Sequence, residues 1–299
     1  MTGSQETPGV MAGTVGERVR DGLGRCSPAE RRVGRTLLSD YPAAGLDTVA
    51  SLAERAETSG PTVLRFLSRL GFDGFGDLQN ALRAEIAERT ASPLALLAGD
   101  VDRAQGTQPA DDASVLARGR QLLPEATART LETLPPDEVA EAIRLLADRR
   151  FRVAAEGGRF SRLIAEYLVL HLMQIRGEAH MIPSRPVERA DVLLEIGRRD
   201  VLVLFDFRRY EPATQTLAER CSEAGAKIVL VTDRWLSPIS SVADVVLPVR
   251  VDAIAVYDSL VPALALMEVL VAGVLAAGGD DAQRRLERFE EVSRRHGVV

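Results

Sequence analysis

Between Thr48 and Gly74 the chain reads TVASLAERAETSGPTVLRFLSRLGFDG, which sets hydroxyl and guanidinium groups opposite two short apolar stripes. Val49, Leu52, Ala53 and Ala56 follow i, i+3, i+4, i+7 spacing, and so do Val63, Phe66, Leu67 and Leu70. Each set predicts one apolar helix face, with a break at Glu57-Thr58-Ser59. Ser59 stands at an N-cap position, Pro61 is tolerated in the first turn of a helix, and Gly71 reads as its stop. With the apolar faces packed inward, Thr62, Arg65, Ser68 and Arg69 are expected to point outward. Hydroxyls suit phosphate oxygens, and a guanidinium suits phosphate and the major-groove edge of guanine. Such a pair of helices can lay its second member in the major groove of double-stranded DNA, with Arg31, Arg32 and Arg35 adding backbone contacts. A plain helical hairpin with solvated arginines has the same spacing, and Glu54, Glu57 and Asp73 keep that alternative open.

A second set of reactive side chains lies in the C-terminal half. Phe151–Ala155 is a short apolar run followed by Glu156, Gly157, Gly158, Arg159, Phe160 and Ser161. A glycine pair at a strand-to-helix turn permits close backbone approach, and a helix start offers free amides to an anion. The run Val201–Phe205 ends in Asp206, Arg208, Arg209, Tyr210 and Glu211, and a third run ends at Asp233, Arg234 and Trp235. Arginine forks bind carboxylate or phosphate, so Arg208 and Arg209 could hold an anion. They could equally pair with Asp206, Glu211 or Asp233 and stiffen the loop.

The elements that must position these groups follow from the pattern. Residues 1–20 are small and polar and read as a loose tail; residues 21–92 read as an all-α helix-turn-helix domain. Residues 93–120 are rich in Ala, Asp, Gly, Gln and Pro and read as a linker. Residues 121–299 form the second domain, whose helical start, 121–150, breaks at Pro135-Pro136. Apolar runs at Phe151–Ala155, Ala179–Ile182, Val201–Phe205, Lys227–Thr232 and Val245–Val249 then mostly alternate with helical patterns. That order predicts an α/β three-layer sandwich around a parallel sheet. A long helix follows, with Asp258 or Ser259 as its expected cap.

Composition excludes several classes. The chain of 299 residues is 46% hydrophobic and 27% charged, which supports one large or two smaller globular domains. The net charge of −6 argues against a uniformly basic coat while permitting a local basic face. Cys26 and Cys221 are far apart, and His171, His180 and His296 show no ligand spacing, so neither a disulfide framework nor a metal site is expected. No cofactor motif is present. The N-terminus lacks the basic-then-apolar signature of a signal peptide, and the apolar stretch 260–277 contains Glu268 and Pro262. It reads as a buried helix in a cytoplasmic protein, not as a membrane span.

The segment SPAERRVGRTLLSDYP, with LDTVASLAERAETSGPTVLRFLSRLGFDGFGDLQNALRAEI, resembles the DNA-binding domain of the RpiR-type family of bacterial transcription regulators. The likeness spans Ser27 to Glu88 and is most specific at Arg65–Leu78. One departure is Glu57-Thr58-Ser59, where the family usually carries a Gly-Val-Ser-like turn. The resemblance implies a C-terminal sugar isomerase (SIS) domain that binds phosphosugars. The expected DNA contacts are Ser59, Pro61, Thr62, Arg65, Ser68 and Arg69, and the expected effector contacts are Gly157, Gly158, Arg159, Ser161, Arg208, Arg209, Tyr210 and Asp233. The second ligand loop of the family is a Ser-x-Ser-Gly-x-Thr-like run, whereas Asp206–Glu211 contains no serine, threonine or glycine. The implied partners are operator DNA, a small anionic effector (sugar phosphate or carboxylate) and a second copy of the chain, as a homodimer or dimer of dimers. The competing expectation is a sugar-phosphate isomerase or lyase with a helical extension, using Glu156 or Glu211 as general base.

Overall fold

The computed structural model describes residues 14–95, 97 and 112–297, which divide into two compact units at Ala91/Ser92. Most of the expected tail and the middle of the expected linker lie outside the described residues.

The first unit is all helix: α1 (Val15–Gly22), α2 (Pro28–Ser39), α3 (Ala43–Leu46), α4 (Val49–Arg55), α5 (Gly60–Arg69) and α6 (Phe75–Thr90). Helix α1 departs from the expectation of a loose tail through residue 20. Thr14 and Glu17 close a reciprocal capping box at its start, and Val15 and Val19 are buried in the same core as Leu52, Phe66 and Leu67. The short apolar spacing Val15/Val19 is easily missed in a sequence segment that opens with small polar residues. Ser27 and Glu30 form a second capping box on α2, with Pro28 at its first position.

The second unit begins with α7 (Asp112–Thr133) and α8 (Pro136–Ala147). Helix α7 therefore starts inside the stretch expected as linker, and the expected break falls at Pro135-Pro136. A five-stranded sheet follows: β1 (Arg152–Gly157), β2 (Ala179–Met181), β3 (Asp200–Asp206), β4 (Lys227–Asp233) and β5 (Val245–Val249). Its order is β2-β1-β3-β4-β5, and every pair is parallel. Helices α9 (Arg162–Ile175), α10 (Pro186–Glu195), α11 (Pro212–Glu223) and α12 (Val261–Arg295) complete it, α12 carrying a non-helical kink at Gly279.

Side chains alternate between the two faces. Val201, Val203 and Phe205 pack with α8, α9 and α12, whereas Leu202 and Leu204 pack with Leu217, Ala218 and Cys221 of α11. All seven residues of β3 are buried, as a central parallel strand covered on both faces requires. Helix α12 is long and apolar enough by composition to cross a membrane. Ala263, Leu266, Met267, Leu270 and Val274 are buried on the face turned to the core, while Val261, Val269 and Leu275 are exposed, so the expected buried helix is buried on one side.

The chain leaves β1 toward β2 on one side and later runs from β3 to β4 to β5 on the other. Strands β1 and β3 therefore flank the point where strand order reverses, and their carboxyl ends open the crevice that α/β sheets use for ligands.

Candidate functional sites

In the helical unit, α4 and α5 form the helix-turn-helix, and of the two stripes Leu52, Ala53, Ala56, Val63, Phe66, Leu67 and Leu70 are buried while Val49 is partly buried. The turn between them uses Glu57 in the left-handed region, φ +48°. Thr58 N–H donates to Ala53 O at 2.9 Å and Glu57 N–H to Glu54 O at 3.0 Å, the paired bonds of a Schellman cap. Arg32 Nε and Nη2 donate to Ala56 O and Glu57 O at 3.2 and 3.1 Å, so this exposed arginine also closes the turn. Arg31 likewise donates to Cys26 O. Helix α5 ends in the same way, with Phe72 N–H on Leu67 O, Gly71 N–H on Ser68 O and Gly71 at φ +80°.

The outward face of α5 differs from expectation at one position. Ser59, Pro61, Arg65, Ser68 and Arg69 are exposed, but Thr62 is only 6% exposed. Its hydroxyl lies 3.0 Å from Ser59 Oγ and accepts from Arg65 Nη2 at 3.0 Å. Thr62 thus sits at the rim of the core and orients Arg65. Ser59 makes no side-chain cap bond, because its hydroxyl meets Thr62 instead of an amide. Arg69 faces Glu30 Oε1 at 3.5 Å, which leaves it half engaged. Leu64 completes the exposed face; it falls outside the apolar stripe, so the spacing of that stripe gives no sign of it.

At the carboxyl edge of the sheet, the loop after β1 approaches the end of β3. Ser161 is buried, accepts from Gly158 N–H at 2.9 Å and donates to Phe205 O at 3.0 Å. A Cβ on Gly157 would stand 2.6 Å from the Ser161 carbonyl carbon, and one on Gly158 would stand 2.9 Å from Glu211 Oε1. Backbone blocks any side chain at Gly157, whereas at Gly158 only the movable Glu211 carboxylate stands in the way. Arg159 is exposed beside the turn, and α9 begins immediately after it.

The two arginines of the β3 loop converge on one acid. Arg208, with its side chain 9% exposed, and Arg209 both pair with Asp258, Arg209 Nη2 at 3.5 Å from Oδ2. Asp258 and Ser259 are the two expected caps of the long helix, and Asp258 does not serve as one. Instead Leu260 holds the cap position without a side-chain bond, and Ser259 Oγ accepts from Val261 N–H at 3.3 Å. Arg209 adopts φ +71°, a left-handed conformation. Tyr210 O–H donates to Asp233 Oδ1 at 2.8 Å, and Trp235 N–H donates to the same oxygen at 2.9 Å. Asp233 is fully buried and burial raises its carboxyl to about 6, against the pull of hydrogen bonds from Tyr210 and from the Trp235 and Arg208 backbone amides. Asp206 is raised to about 6 for the same reason while accepting a hydrogen bond from Ser237 Oγ. Trp235 is buried beneath the Arg234 guanidinium. Asp206, at the head of the loop after β3, and Ser237 are brought together across 31 residues, a contact that no spacing along the chain signals.

Of the two expected general-base candidates, Glu156 is held in an ion pair, while Glu211 is exposed at the start of α11. Glu156 pairs with Arg189 at 2.7 Å, and His171 packs edge-on against Tyr167 with 4.5 Å between ring centroids. His180 lies in β2, where burial lowers its pKa. No cluster of three or more His, Cys, Asp or Glu able to hold a metal occurs among the described residues.

A helix-turn-helix with an exposed arginine face, joined to a parallel α/β sandwich with a strand-end crevice, defines a two-domain transcription regulator. Comparison with known proteins gives the family. The helix-turn-helix domain of the rpiR family matches residues 14–89, and the SIS domain matches residues 145–273. The chain belongs to the RpiR-type regulators. It is 24% identical to the HTH-type transcriptional regulator HexR of Pseudomonas aeruginosa over 285 residues, 92% of this chain and 94% of that one. Among solved structures, the sugar isomerase domain of an RpiR transcription factor from Sphaerobacter thermophilus superposes with TM-score 0.53 at 20% identity, covering 56% of this chain and 94% of that domain. The Vibrio vulnificus NanR protein complexed with ManNAc-6P superposes with TM-score 0.52 at 18% identity, covering 93% and 97%.

Proposed function

We propose that the chain binds operator DNA through α5 and that a small anionic metabolite, held at the carboxyl edge of the sheet, changes that binding. The observation that carries the DNA half is the exposed face Ser59, Pro61, Arg65, Ser68 and Arg69 on a helix whose other side is sealed into the core. Two such helices in a homodimer, or a dimer of dimers, would read a palindromic site. Working on DNA, the protein would act in the cytoplasm.

For the effector, the Gly157–Ser161 turn sets the exposed Arg159 at the carboxyl edge of the sheet, where its guanidinium could hold a phosphate or carboxylate. Arg208, Arg209, Tyr210 and Asp233 shape the opposite wall through their bonds to Asp258 and to each other. The ligand in the NanR complex makes sugar phosphates the first class to screen. A ligand can alter DNA affinity only by binding the two dimer arrangements unequally.

Two measurements test this. DNA from upstream of the chain's own gene is titrated across a salt series with wild type and with Arg65→Ala/Arg69→Ala. The double variant should lose sequence preference and flatten the salt slope by about one per lost phosphate contact; unchanged binding and slope overturn the DNA face. A thermal-shift screen of sugar phosphates and sugar acids then compares wild type with Arg159→Ala. Equal stabilisation of both proteins, or a stabilising compound that leaves DNA affinity unmoved, overturns the effector half.

A further inference from the structure

We propose that Leu64 is a base-reading side chain that contacts the 5-methyl group of a thymine, next to a guanine read by Arg65. This rests on operator binding by α5. Leu64 is 46% exposed, and it is the one large apolar side chain among the described residues of the helical unit that is exposed. A lone exposed leucine is ordinary on a protein surface. Here, however, every other large apolar side chain described in the unit is at least partly buried, and the neighbours Val63, Phe66 and Leu67 are in its core.

Position gives the second argument. Pro61, Leu64, Arg65 and Ser68 repeat the i, i+3, i+4, i+7 spacing of the buried stripe on the opposite face, and all four are exposed. Leu64 is therefore central to the face that would enter the groove. Its neighbour Arg65 is already oriented, since Thr62 Oγ1 accepts from Arg65 Nη2 at 3.0 Å and itself lies 3.0 Å from Ser59 Oγ. In the major groove the thymine methyl is the apolar group a leucine can cover, and guanine presents the two acceptors that suit arginine. Base pairs repeat about every 3.4 Å, so side chains adjacent on one helix face reach positions within about two base pairs of each other. Each half-site should therefore hold a thymine that close to a guanine.

The full-length protein is used to select sites from a random double-stranded DNA pool. Each thymine of the enriched half-site is then replaced in turn by deoxyuridine, which removes only the methyl group, and affinity is read by fluorescence anisotropy at fixed salt. One thymine per half-site should weaken wild-type binding about fourfold on losing its methyl. Leu64→Ala should bind the thymine and deoxyuridine sites equally, and Leu64→Met should restore the difference. Arg65→Ala should relax selection of the nearby guanine by roughly 5- to 100-fold. An enriched site at which no methyl matters, or at which Leu64→Ala keeps the wild-type discrimination, overturns the role of Leu64 while leaving DNA binding intact. Failure to enrich any sequence overturns the operator-binding reading itself.

Discussion

The Arg18 guanidinium lies 3.7 Å from the centroid of the Phe72 ring, while its Nη2 donates to Leu70 O at 2.6 Å. One side chain of α1 thus closes the C-terminal end of α5 and stacks on the residue that completes its cap. The pairing explains why a helix preceding the recognisable motif belongs to the DNA-binding unit.

Arg18→Ala should remove a cation–π contact and a charge-assisted hydrogen bond, together costing about 2 kcal/mol. In a unit of this size that corresponds to a drop of roughly 8 °C or more in its unfolding midpoint. Hydrogen exchange at the Gly71 and Phe72 amides of the full-length protein should accelerate in parallel. A variant within half a degree of wild type, with unchanged exchange, would show that Arg18 is incidental.

Glu57 occupies the left-handed position that glycine usually takes at such a cap, and it is held there by the Arg32 bonds to Ala56 O and Glu57 O. A residue with a Cβ is disfavoured in this conformation by about 1–2 kcal/mol, partly offset by the greater unfolded-state freedom of glycine. Glu57→Gly should therefore raise stability by about 0.5–1 kcal/mol, whereas Glu57→Ala should gain little. Urea melts of the three proteins decide it: a Gly variant no more stable than the Ala variant would mean that the turn carries no strain.

These two caps also mark the limit of what the sequence could convey. The stripes 49/52/53/56 and 63/66/67/70 are legible because burial imposes a 3.6-residue period. The strands are legible because a doubly covered parallel sheet demands continuous apolar runs. Capping by Arg18 and Arg32 is not, because it depends on long side chains reaching across 25 to 52 residues of sequence. The same is true of Thr62, whose small polar side chain fits equally well outside the stripe or at its rim. Arg208 and Arg209 read in sequence as ligand forks or as ion pairs, but their partner, Asp258, lies 49 residues beyond Arg209. Spacing along the chain carries no signal for such a contact.

That ion-pair cluster is asymmetric. Arg208 meets Asp258 largely out of solvent, while Arg209 meets it from an exposed side at 3.5 Å. Asp258→Ala should cost about 3 kcal/mol by removing the shared carboxylate from a buried guanidinium. Arg209→Ala should cost less than about 1 kcal/mol, as exposed pairs do. Equal losses in chemical denaturation of the two variants would place both contacts in solvent and contradict the burial difference.

Asp206 and Asp233 give the second unit an unusual dependence on pH. Burial raises both carboxyls to about 6 in the folded chain, well above the value of about 3.9 expected when unfolded. The folded state therefore binds protons more tightly between these values, and the stability associated with the protonated acids is lost as pH rises through about 6. A carboxyl that folding raises by one pH unit changes stability across that window by about 1.4 kcal/mol. Asp233→Asn imitates the neutral carboxyl and should keep the Tyr210 and Trp235 bonds to a side-chain oxygen. It should thus be more stable than wild type at pH 7, with the advantage shrinking as pH falls toward 4. Comparing the two proteins, instead of following wild type alone, cancels opposing titrations such as that of Asp148, which its bonds to Arg150 hold at about 2. Denaturant midpoints that differ by a constant amount from pH 4 to 7 would show that Asp233 is already neutral, or already solvated, throughout the range.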